Sequence, residues 1–190
     1  MSTRQPPAQD PIASFARAAA AVADLIADVR PGQWHDPTPC TEWDTSQLVD
    51  HLITGNQHFA SLVRGQPSEP AAPAAGGRAK DYHVSAAALR AALAAPGALE
   101  RIYQSPAGPA PGTALIHLRI AEQLVHGWDL ARATGQPSAL PEDLARQALA
   151  LSRAQLSDTP REHLPFGPPQ PVSGDALAAD QLAAFFGRRP

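Results

Sequence analysis

The sequence has only one cysteine, Cys40, in 190 residues, and aromatic side chains make up 5% of it. A single thiol cannot form an internal disulfide, which fits a reducing cytoplasm. Strands favour aromatic and β-branched side chains, whereas alanine favours helices. A chain that is rich in alanine and poor in aromatics is therefore predicted to be an all-α protein with closely packed helices.

Basic residues are scarce as well. The 15 Lys and Arg residues are scattered among 18 Asp and Glu residues, and the formal net charge is −3. No basic patch is present, so we expect no binding to nucleic acid. No apolar run reaches the roughly 20 residues that a membrane-spanning helix needs. The opening Met1–Asp10 is polar and rich in proline, unlike a signal peptide. We expect a cytoplasmic protein that contacts no membrane.

The length suits one domain with a substantial core, here residues 1–190. Residues 1–9 are predicted to be a disordered lead-in. The Pro/Ala/Gly-rich segment 66–80 is predicted to be a flexible loop. Residues 158–190 are predicted to form a C-terminal extension that packs on the rest.

Apolar spacing and local start and stop signals predict six helices. The clearest start is Asp44 followed by Gln47, a capping-box pattern, and Gly65 is suited to end the same helix. A brief strand or extended piece is predicted for Leu99–Gln104, and the next residues are rich in turn signals. The predicted helices cover residues 12–29, 44–65, 86–95, 113–134, 141–156 and 175–186.

The stretch Thr113–Thr134 is the most informative, because it is apolar on nearly every side except at Glu122 and His126. These two residues are four apart, so on a helix they project from one face, one turn above the other. A carboxylate is rarely buried without a partner. The pair is either part of a salt bridge or exposed stripe, or it is half of a metal site.

His51 lies in the middle of an apolar face of another predicted helix and is the candidate third ligand. Two imidazoles and a carboxylate suit zinc, nickel, iron or manganese, and they leave positions for water or substrate. A lone histidine on an apolar face is more often a hydrogen-bonded core residue, and one E-x3-H pair is common. A glutamate and two histidines on the core faces of one bundle favour the metal site. We call His51, Glu122 and His126 the predicted trio.

Three nearby residues have less certain roles in the sequence. Asp129 follows Glu122 by seven residues and is either a supporting partner of the site or a surface charge. Cys40 lies between prolines, where a small buried thiol is the ordinary interpretation. Trp43 is interpreted as a residue that anchors the loop to the core.

Two stretches resemble a known family. TPCTEWDTSQLVDHLITGNQHFA (38–60) and AEQLVHGWDLARATG (121–135) resemble the actinobacterial metal-binding family related to the N-terminal domain of mycothiol-dependent maleylpyruvate isomerase, in the DinB/YfiT-like superfamily. The ending FGPPQPVSGDALAADQLAAFFGR is similar to that of the short members. The resemblance implies a four-helix bundle with short additional C-terminal helices. It also implies that His51, Glu122 and His126 bind a divalent metal, with zinc as the first choice.

The resemblance further implies that mycothiol is a co-substrate. Related enzymes use the metal to activate this low-molecular-weight thiol, because a coordinated thiol is deprotonated and the thiolate is the nucleophile. We therefore expect a thiol-dependent transferase or isomerase acting on a small electrophilic substrate. The isomerase has a second domain that contributes to its active site, and only a short helical tail follows the bundle here, so the resemblance does not extend to maleylpyruvate isomerisation itself.

Two other functions remain open at this stage. One is a non-enzymatic metal- or ligand-binding protein, and the other is a hydrolase that uses metal-bound water as its nucleophile. The alanine-rich helix faces allow a homodimer without requiring one. No residue is assigned a catalytic role.

Overall fold

The computed structural model describes residues 10–67, 77–105, 108–156 and 166–190. The predicted lead-in 1–9, most of the predicted loop 66–80 and the first residues of the predicted C-terminal extension therefore lie outside the described residues. The described elements are α1 Pro11–Ala27, a 3-10 turn Pro31–Gln33, α2 Thr45–Arg64, α3 Gly77–Leu93, β1 Ile102–Ser105, β2 Gly108–Pro111, α4 Gly112–Thr134, α5 Glu142–Leu156 and α6 Ala178–Phe185.

The ends of α2 are set by local chemistry, as predicted. The Asp44 carboxylate accepts the backbone N–H of Gln47 at 2.9 Å, and the Gln47 side chain accepts the N–H of Asp44 at 3.0 Å. Gly65 ends the helix in the left-handed conformation, with φ of 66°. These contacts satisfy backbone groups that a helix end would otherwise leave unpaired. The capping box and the glycine terminus are confirmed.

Helices α1 to α4 form a four-helix bundle. Helix α1 packs on α3 and α4, and α2 packs on the same two helices, so α1 and α2 lie at opposite corners. Helices α5 and α6 pack on each other and on α4. The all-α bundle with additional C-terminal helices is confirmed. Within the described ranges, no helix combines the length and apolarity that crossing a membrane requires.

Helix α4 is central because elements pack on several of its sides. Its buried positions include Ile116, Leu124, Trp128 and Leu130, which together cover more than one face. A helix that is apolar all round is expected at the centre of a bundle. The core position inferred from the sequence for Thr113–Thr134 is thus confirmed.

The third helix begins earlier than predicted. It starts at Gly77 rather than Ala86, so the last residues of the predicted loop 66–80 are helical. Ser85, a residue type that often caps helices, lies buried inside this one, and its hydroxyl donates to the Tyr82 carbonyl oxygen at 2.9 Å. This back-bonding satisfies the hydroxyl within the helix, so Ser85 does not act as a boundary.

The proline-rich approach to α4 forms a strand that the sequence did not predict. β1 and β2 pair antiparallel, with Ile102 opposite Pro111 and Gln104 opposite Pro109. A two-stranded ribbon consists only of edge strands, where proline is tolerated. The extended piece predicted at Leu99–Gln104 corresponds to β1, which begins three residues later.

Candidate metal centre

Helices α2 and α4 bring His51 and His126 together. Their ring centroids lie 5.1 Å apart, and the ring planes cross at 77°. Zinc–nitrogen bonds of about 2.1 Å put each ring centroid about 3.2 Å from the ion, so two histidines on one tetrahedral metal have centroids about 5 Å apart. Two members of the predicted trio therefore have a separation that suits a shared metal.

His51 lies beneath an indole ring. The rings of Trp43 and His51 stack with centroids 4.2 Å apart, and Trp43 also lies 5.7 Å from the His126 ring. Burial, followed by the neighbouring His126, lowers the pKa of His51 to about 4, although Glu122 opposes this. The ring is therefore neutral near neutral pH, which is the form that binds metals.

Glu122 is less buried than the sequence suggested. The sequence predicts that this carboxylate lies on an apolar face of a central helix. Its side chain is, however, 31% exposed, and the neighbouring Leu118 is 41% exposed. It also has a partner, because Arg119 one turn earlier donates from Nη1 to Oε2 of Glu122. Glu122 is therefore not the unpaired buried carboxylate that the sequence suggested. Hydrogen bonds to a ligating carboxylate are common, so the pairing with Arg119 is compatible with a metal-binding role.

The site contains a buried cation, Arg119, that was not predicted from the sequence. Its side chain is 1% exposed, and Nη2 donates to Oδ1 of Asn56 at 2.9 Å. The guanidinium carbon lies 5.3 Å from the Phe59 ring centre. A Cβ atom at Gly55 would come within 2.7 Å of Nη1, so the glycine leaves room for this cation beside α2. Glu122 is therefore paired with a cation that the protein core holds in place.

The polar network continues away from the surface. Gln123 donates to Oδ1 of Asn56 at 3.1 Å and accepts from the Tyr82 hydroxyl at 2.5 Å. Asn56 donates in turn to the Ser85 hydroxyl at 3.2 Å. Burial raises the pKa of Tyr82 well above its ordinary value. Arg119 and Gln123 are four apart on an otherwise apolar helix, and that spacing was the available signal.

Asp129 supports His126. Its side chain is fully buried, and Oδ2 lies 3.1 Å from Nδ1 of His126. An ionised carboxylate only accepts hydrogen bonds, so Nδ1 of His126 is the donor in this contact. Metal-ligating histidines ordinarily donate their other ring N–H to a carboxylate or carbonyl in this way. Of the two interpretations of Asp129, the structure supports the supporting partner and excludes the surface charge.

A second group of ligand atoms lies beside the first. Within the described residues, Cys40, His126 and Asp129 each offer one ligand atom within 4.8 Å of the others. The Arg188 guanidinium, however, lies 2.8 Å from Oδ2 of Asp129 and already balances its charge. Burial raises the pKa of the Cys40 thiol, although Arg188 opposes this. Arg188 contacts both carboxylate oxygens of Asp129, whereas Arg119 contacts only Oε2 of Glu122, so this second group suits a metal less well.

The ligand atoms of the predicted trio do not all lie within 4.8 Å of one another, so the three side chains must move closer together to bind one ion. Glu122 has room to move, because its side chain is 31% exposed. The two imidazoles are held by Trp43 and Asp129. His51, Glu122 and His126 remain the predicted ligands.

Comparison with known proteins places the chain in a family. The family described as the mycothiol maleylpyruvate isomerase N-terminal domain matches residues 15–131. The chain belongs to this family. The matched segment contains all of the predicted trio, together with Trp43, whereas Arg188 lies beyond it.

Members of the family occur in mycobacteria. An uncharacterized protein of Mycobacterium tuberculosis strain CDC 1551 / Oshkosh is 38% identical over 180 residues, which cover 94% of this chain and 98% of the relative. An uncharacterized protein of strain ATCC 25618 / H37Rv matches with the same identity and coverage. No solved structure is significantly similar to the chain. The family resemblance of the sequence is confirmed.

Proposed function

We propose that this protein binds a divalent metal through His51, Glu122 and His126 and activates a low-molecular-weight thiol, mycothiol, for transfer to a small electrophile or for an isomerisation. Zinc is the proposed metal, and nickel, iron and manganese are the alternatives. The family name supports the thiol, since it refers to a mycothiol-dependent isomerase. The observation that carries the metal is the bond between His126 and the buried Asp129.

A divalent metal supplies one kind of chemistry here, because it lowers the pKa of a bound thiol so that the reactive thiolate forms at neutral pH. The residues of the chain prepare the position. Asp129 fixes the ring of His126, and Trp43 covers one face of the His51 ring. Arg119 orients Glu122 from within the core. Ligand side chains held from behind in this way lose little freedom when they bind an ion.

The solvent-facing part of the site is where a thiol and an electrophile would enter. Glu122 is partly exposed and His51 is only partly buried, whereas His126 and Asp129 lie behind them. Access from one side suits small substrates, and we propose no macromolecular partner. The unpaired Cys40 is consistent with the proposed cytoplasmic location.

The thiol-transfer proposal can be tested with mycothiol and monochlorobimane. In this reaction a sulfur–carbon bond forms, the carbon–chlorine bond breaks, and chloride and the thiol proton are released. Zinc-loaded protein should form the fluorescent conjugate faster than buffer with zinc alone. His126→Ala should lose this rate, and His117→Ala, which removes a histidine from the same helix, should keep it.

Other outcomes distinguish the alternatives. A rate no higher than that of the buffer control would contradict thiol transfer. If that protein nevertheless binds one equivalent of metal, the non-enzymatic binding function would replace it. Release of p-nitrophenol from a p-nitrophenyl ester, lost in His126→Ala, would favour the metal-dependent hydrolase.

A further inference from the structure

Arg188 reaches Asp129 from the C-terminal end of the chain. Its Nη2 lies 2.8 Å from Oδ2 and its Nε lies 3.1 Å from Oδ1, so the guanidinium contacts both carboxylate oxygens. Asp129 is fully buried and the Arg188 side chain is 10% exposed. Two-point contacts between arginine and a carboxylate fix geometry as well as charge. The carboxylate that supports His126 is thus itself held from the other side.

The end of α6 places Arg188 at this position. Gly187 follows the helix with φ of 88°, the N–H of Gly187 donates to the Ala184 carbonyl oxygen, and the N–H of Arg188 donates to that of Ala183, both at 3.0 Å. This is a Schellman motif, in which a left-handed glycine reverses the chain after a helix. The direction of residues 186–190, which we call the C-terminal arm, is therefore set by α6.

Helix α6 is in turn attached to the helix that carries the site. The Trp128 indole N–H donates to Oδ1 of Asp180 at 2.7 Å, and Arg132 contacts the same oxygen at 3.3 Å. Trp128 and Arg132 lie on α4 on either side of Asp129. Arg188 therefore extends from an element that is packed and hydrogen-bonded against α4.

The contacts of Asp129 connect the arm to the imidazole. Oδ2 of Asp129 meets both Nη2 of Arg188 and Nδ1 of His126. Because Arg188 balances the negative charge, the carboxylate can act toward His126 as a plain hydrogen-bond acceptor. Held on both sides, it favours the neutral His126 tautomer that carries its proton on Nδ1 and leaves Nε2 available to a metal.

We propose that Arg188 is a positioning residue, which sets the ring orientation and tautomer of His126 through Asp129 and thereby sets the metal affinity of the site. The C-terminal arm, which lies outside the segment matched by the family, is thus part of the site. The part of this inference that concerns metal affinity rests on the proposed function. The part that concerns the imidazole does not, because it rests on the contacts that Asp129 makes with His126 and Arg188.

The test compares Arg188→Met with Arg189→Met, since Arg189 is the adjacent arginine and is exposed. Long-range nitrogen–proton NMR spectra of metal-free protein at one fixed pH report which ring nitrogen of His126 carries the proton. Wild type and Arg189→Met should show the Nδ1–H form, and Arg188→Met should show a mixture with the Nε2–H form. In zinc competition with a chromogenic chelator, Arg188→Met should weaken binding about 10- to 100-fold, as losing such a partner typically does.

A second variant keeps the proposal testable if Arg188→Met fails to fold because Asp129 is left without a cation. Arg188→Lys keeps the charge but not the two-point contact, so it should fold and show a smaller shift in both readouts. Unchanged tautomer and unchanged affinity in the folded variants would overturn the proposal. A tautomer shift in protein that binds no zinc even as wild type would uphold the positioning role and reject the metal function. Zinc binding that is equal in all variants, with the tautomer unchanged, would uphold the metal function and reject the positioning role.

Discussion

The indole of Trp43 stacks on the imidazole of His51, with ring centroids 4.2 Å apart and planes at 28°. Trp43 directly precedes Asp44, the residue that caps α2. The local contacts that start the helix therefore also fix the aromatic cover over a predicted metal ligand. The sequence predicts Trp43 as a residue that anchors the loop to the core, and its contact with His51 depends on how the loop packs over the second turn of α2.

The first prediction concerns the ligands. His51→Ala, Glu122→Ala and His126→Ala should each reduce the bound metal from about one equivalent to near zero, since each removes one of three protein ligands. Elemental analysis of the purified proteins after dialysis measures this. His117→Ala, on the same helix as His126, should retain the wild-type metal content. Equal metal content in all five proteins would reject the predicted trio.

The second prediction separates the two groups of ligand atoms that share His126. Cys40→Ser should bind zinc with the wild-type affinity. Cys40 belongs only to the second group of ligand atoms, in which Arg188 already forms an ion pair with Asp129. Chelator competition measures the affinity. A loss of more than about 10-fold, the scale expected on removing a ligand or its direct support, would move the metal to Cys40, His126 and Asp129. Thr41→Ser at the neighbouring position is the matched control.

The third prediction concerns the start of the central helix. A Cβ atom at Gly112 would lie 2.1 Å from the backbone oxygen of Ala98, which cannot rotate away. Gly112→Ala should therefore lower the free energy of unfolding by at least about 2 kcal/mol, as measured by urea denaturation. Gly32→Ala has open space around it and should change stability little or increase it. Equal stability of the two variants would contradict the close approach seen at Gly112.

The fourth prediction concerns pH. The backbone N–H of Gln47 is the main cause that lowers the pKa of Asp44 from 3.8, with smaller contributions from Ser46 and His35. A carboxyl group whose pKa is lowered on folding contributes stability above its unfolded pKa and loses it as pH falls through the folded value. Wild-type stability should therefore fall below about pH 5 partly through Asp44. The difference in the free energy of unfolding between wild type and Asp44→Asn isolates the contribution of Asp44.

Asparagine also caps helices, so Asp44→Asn should fold normally and lack this part of the pH dependence. Urea denaturation of both proteins between about pH 2 and 7 gives the comparison, because the remaining carboxyl groups cancel in the difference. A difference in stability that stays constant across this range would show that the cap is not preferentially charged in the folded protein.

Local sequence signals predicted much of the bundle, whereas features that depend on contacts between distant residues were not predicted. The ends of α2 follow from Asp44, Gln47 and Gly65, whose bonds join residues a few positions apart. The hairpin strand Gly108–Pro111 was missed because its prolines indicate turns, and only pairing with β1 makes it a strand. The early start of α3 was missed because Ser85 resembles a cap and is satisfied inside the helix instead.

The candidate site shows the same division between local and non-local information. The spacing of Glu122 and His126 follows from helix geometry alone, and the family resemblance was confirmed. The pairing of Glu122 with Arg119 was within reach of the sequence, since residues three apart on a helix are neighbours. It was overlooked because a cation with 1% exposure is unexpected on a core helix.

The sequence by itself determined that α4 is a central helix, that it carries a carboxylate and an imidazole on one face, and that α2 begins at Asp44. These properties depend on helical periodicity and on bonds between near neighbours in the chain. Only the tertiary structure decided that His51 lies 5.1 Å from His126 and that Arg188, 59 residues after Asp129, holds the carboxylate behind that histidine. Such contacts depend on how helices pack and where the chain reverses after α6, and no local pattern specifies them.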